Sequence, residues 1–143
     1  MTSAVKLLIG LAATILMGWA WHGPLGNGAR LIDSIESRAG AAVAAAGLPG
    51  VEVRLDRDPL ARAATLSGPA DDFQRDGLGG QPGLTDIVAE TEGVNSVRWA
   101  DRAGGGGGMP LLAELLLLLV LAYLIGLGAA RLLWGRPKRT SYL

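Results

Sequence analysis

The stretch "LLAELLLLLVLAYLIGLGAARLL", Leu111 to Leu133, carries one acid near its start and one base near its end. As a helix its 23 residues rise roughly 35 Å at about 1.5 Å per residue, enough to cross the hydrocarbon of a bilayer with some tilt. A second apolar stretch, "VKLLIGLAATILMGWAW" from Val5 to Trp21, lies near the other end. It reads as a spanning anchor or as the apolar part of a secretory signal. The anchor is preferred, because Gly18-Trp19-Ala20 followed by bulky Trp21 is a poor cleavage site. Half of the chain is apolar, and those residues collect at the two ends. One soluble core does not distribute them that way.

Charge sets the orientation. Lys6 is the only base before Trp21, and Arg131, Arg136, Lys138 and Arg139 crowd the other end with no acid beside them. Basic flanks stay in the cytoplasm. Between His22 and Met109 stand twelve acids and eight arginines, a net of 8 − 12 = −4, with no lysine. The middle is therefore expected outside. Trp19 and Trp21 would mark the outer interface and Trp134 the inner one. An acidic exported part argues against nucleic acid as a partner.

The middle reads as an α+β module over residues 27–102. Leu31, Ile32, Ile35, Ala39, Ala42, Val43 and Ala46 recur at helical steps, with Asn27 as a plausible cap and Gly47 placed to stop the helix. "VEVRLD" alternates, with Val51, Val53 and Leu55 on one side. Pro59 breaks the connection to a second, antiparallel strand that recovers alternation at Ala64, Leu66 and Gly68. A short acidic turn at Asp71 and Asp72, a loop "GLGGQPG", a helix through Leu84, Ile87, Val88 and Thr91, and a strand "VNSVRW" complete the order α-β-β-α-β. Such a domain hides only about 60% of its unfolded surface and gains from a neighbour. Residues 103–109 form a glycine-rich linker of roughly 15 Å root-mean-square span, so the domain is expected near the membrane without rigid docking. The spans are then 1–22 and 110–134, and 135–143 is a basic tail.

The strand "VEVRL", the strand end "ATLSG", the acidic start after it and "EGVNSVRW" resemble the BON domain, a small module of bacterial envelope proteins. The resemblance rests on Leu66-Ser67-Gly68 and on Gly93-Val94-Asn95-Ser96-Val97, and covers about half the chain. Pro59 and "GLGGQPG" depart from the family pattern. The resemblance implies a binding or tethering module, associated with phospholipid or protein and not an enzyme, on the periplasmic side of a bacterial inner membrane. Both termini would then be cytoplasmic.

The remaining residues point to no catalytic centre, cofactor or metal. Cysteine is absent and His22 is the only histidine, so the usual transition-metal donors and triad bases are missing. Asp71, Asp72 and Asp76 lack the spacing of a calcium loop, and an acid at a helix start is accounted for by capping. Glu114 is expected at the interface, on the favourable end of its helix dipole. Gly10, Thr14 and Gly18 recur at steps of four in the first span, and Ala122, Gly126 and Ala130 do so in the second. Such stripes let helices approach closely, pairing the spans with each other or docking them on a larger membrane complex, of which the chain would be an accessory subunit.

Overall fold

The computed structural model describes residues 2–102 and 108–134. Most of the linker (103–107) and the basic tail (135–143) lie outside the described residues. The elements are α1 (Ser3–His22), α2 (Asn27–Ala45), β1 (Glu52–Arg57), β2 (Leu60–Ser67), α3 (Asp72–Asp76), α4 (Leu84–Ala89), β3 (Ser96–Trp99) and α5 (Leu111–Trp134). The architecture is α+β, with a three-stranded mixed sheet between two long apolar helices. Both α1 and α5 are long and apolar enough to cross a membrane.

The order α-β-β-α-β matches the pattern of hydrophobic periods, with α3 as an added turn. Along α2, Ile32, Ile35, Ala39 and Val43 are buried at steps of three and four, the stripe a helix needs to lie on a sheet. The stripe is narrower than its sequence suggests. Leu31 and Ala46 are exposed, because the sheet is only as wide as its three strands. Gly26 caps α2 and Asn27 opens it, while the Asn27 side chain donates to the Trp21 carbonyl at 3.2 Å. The chain leaves the helix at Gly47 in a left-handed conformation.

Antiparallel β1 and β2 pair Val53 with Leu66 and Leu55 with Ala64, which sets all four side chains toward α2. β2 begins at Leu60, directly after the Asp58–Pro59 turn, and not near Ala64. Ala61, Ala63 and Ala64 are all buried, and the consecutive Ala63 and Ala64 break the alternation that Arg62 and Thr65 would otherwise mark. β3 runs parallel to β2 and sets Val97 and Trp99 beside Ala64 and Leu66. Leu84 and Val88 of α4 complete the core. Each fully buried Ile, Leu or Val contributes about 1.5–3 kcal/mol relative to exposure.

Two glycines of the family-like motif sit where no other residue fits. Gly68 ends β2 at φ +129°, and a Cβ there would strike the Gly50 carbonyl oxygen and come within 2.9 Å of Val51 Cα. Gly93 precedes β3 at φ +98°, and a Cβ would come within 2.8 Å of Ile35. Gly68→Ala should therefore destabilise the domain by about 1–3 kcal/mol through a left-handed φ and a backbone clash. Circular dichroism during thermal unfolding in detergent would detect this, and an unchanged midpoint would contradict it.

Candidate functional site at the junction of domain and spans

Where α5 meets the domain, its first turn is part of the fold. Leu111 is buried in the core cluster, and Pro110 bridges to Ala61 at the start of β2. Gly108 lies against Ala63, so closely that a Cβ would come within 3.0 Å of the alanine methyl. The Glu114 side chain, 16% exposed, takes hydrogen bonds from Arg62 Nε at 2.8 Å and from Asn95 Nδ2 at 3.5 Å. The carboxylate also stands in the first turn of α5, where the helix dipole favours an anion. The expectation of a loosely leashed domain is therefore corrected. Arg62 lies 52 residues away in sequence, so Glu114 read alone showed only its dipole and not its partner.

On the other side, α1 runs into α2 through a short turn. Arg30 donates to the Leu25 carbonyl at 2.7 Å, and Gly28 is buried with a Cβ position that would overlap the His22 imidazole and meet its carbonyl oxygen at 3.0 Å. Trp19 and Trp21 are half exposed, as rings at a water–lipid boundary would be. Exposed Leu25 and Met109 lie in the segments that join the spans to the domain. The Trp134 side chain lies outside the described residues.

Helices α1 and α5 pack as an antiparallel pair. Tyr123 of α5 covers Gly10 of α1, while Leu115, Leu116 and Leu119 cover Gly18. The Tyr123 hydroxyl donates to the Leu7 carbonyl at 2.7 Å, and the Thr14 hydroxyl donates to the Gly10 carbonyl at 2.9 Å. Thus the Gly10, Thr14 and Gly18 stripe faces the partner helix or bonds along it. Ala122, Gly126 and Ala130 are exposed, and Gly126 has nothing within 4 Å of a Cβ position. The second stripe turns away from α1; leucines and Tyr123 make that contact instead.

The acidic residues have structural partners. Asp71 caps α3 in a reciprocal capping box with Gln74. Asp72 and Asp76 hold Arg102 at 3.1 and 2.8 Å. Asp101 takes a hydrogen bond from Arg75 at 2.8 Å, which holds its carboxyl below the usual carboxylate range. Arg75 also lies 4.3 Å over the Trp99 ring, whose indole N–H donates to Thr85 at 3.0 Å. Among the described residues no group of three or more His, Cys, Asp or Glu is placed to hold a metal ion. Of the remaining motif residues, Leu66 is fully buried, and Val94 and Val97 pack half-buried against the core.

No family model matches the chain, and no curated protein or solved structure matches it significantly.

The Arg62–Glu114 contact has a measurable consequence. Arg62→Ala and Glu114→Gln should each lower the unfolding midpoint, and the double variant should lose less than the sum. The expected coupling is about 1–3 kcal/mol, as for groups sharing one partly buried contact. Additive losses in a double-mutant cycle would mean that the domain and α5 are only neighbours.

Proposed function

We propose that the chain is a membrane-anchored, non-catalytic envelope module of the BON-like kind, acting by contact with another envelope protein or with phospholipid. Its domain lies on the periplasmic face of a bacterial inner membrane and both termini are cytoplasmic. The observation that carries this reading is the antiparallel pairing of α1 and α5 with the domain at one end of the pair. Gly10 meets Tyr123 and Gly18 meets Leu119, which directs the start of α1 and the end of α5 away from the domain. The charges agree: the domain residues are net acidic without lysine, and the ends are basic. An acidic domain gains little from anionic headgroups, so protein contact is the favoured mode.

A second reading, an accessory subunit of a large inner-membrane complex, is favoured by one feature. The exposed Ala122, Gly126 and Ala130 stripe makes no contact with α1, which leaves a smooth face to a neighbouring helix. Gly126→Leu should then leave the unfolding midpoint of the isolated chain unchanged while dispersing any large assembly on a native gel. Gly10→Leu should lower the midpoint itself, because it displaces Tyr123. Equal effects of the two substitutions on the isolated chain would contradict this division of faces.

The orientation is directly testable because the chain has no cysteine. In sealed spheroplasts a membrane-impermeant maleimide should label Asp58→Cys in the hairpin turn. It should reach Ser141→Cys in the tail only after permeabilisation. The opposite pattern would overturn the proposal.

A further inference from the structure

We draw no further inference here: the strongest candidate, the open hollow beside α4 lined by exposed Leu78 and the Asp86 and Glu90 carboxylates, is an acidic rim around one large apolar side chain, and nothing in the structure shows what covers it.

Discussion

The Glu114 carboxylate sits in the first turn of an apolar helix, and the Arg62 guanidinium of a small sheet reaches it at 2.8 Å. Desolvating a carboxylate is costly unless it is paired. Arg62, the Asn95 amide and the positive end of α5 supply that pairing together. Leu111 enters the core in the same turn, so the domain and α5 share both an ionic contact and apolar burial. The rest of the arrangement follows from this corner. With α5 fixed against β2, and α1 joined to α2 by a short turn, the two long helices leave the domain side by side and pair through Gly10 and Gly18.

The sequence was informative where side-chain chemistry alternates with a period. The buried face of α2 could be read from Ile32, Ile35, Ala39 and Val43, and β1 from Val53 and Leu55, because polar residues separate them. The start of β2 could not, since consecutive Ala63 and Ala64 break the two-residue pattern between Arg62 and Thr65. A lack of contrast governed α1 and α5 as well. A helix that is apolar all round has no polar side to exclude from a contact, so nothing local says which stripe meets which. Shape decided it: Tyr123 and three leucines fit over the glycines of α1, while the small residues of α5 face outward.

Long-range ion pairs were the other blind spot. Arg98 reaches Asp56 across β2 at 2.7 Å, and Arg57 reaches Asp33 and Glu36 of α2 at 2.8 and 3.1 Å. Each arginine looks like a solvated charge until the topology brings its partner near. The same holds for the acids after β2: Asp72, Asp76 and Asp101 are held by Arg102 and Arg75.

The docking of the domain on α5 has a directional consequence. Rotation of α5 about its own long axis is restrained at one end by Arg62 and the core and further along by Tyr123 against α1, so the compass bearing of Gly126 is set at two places. A lesion that melts the sheet would remove the first restraint and leave the second. The outward side of the pair would then keep its bearing relative to α1 and lose it relative to the domain.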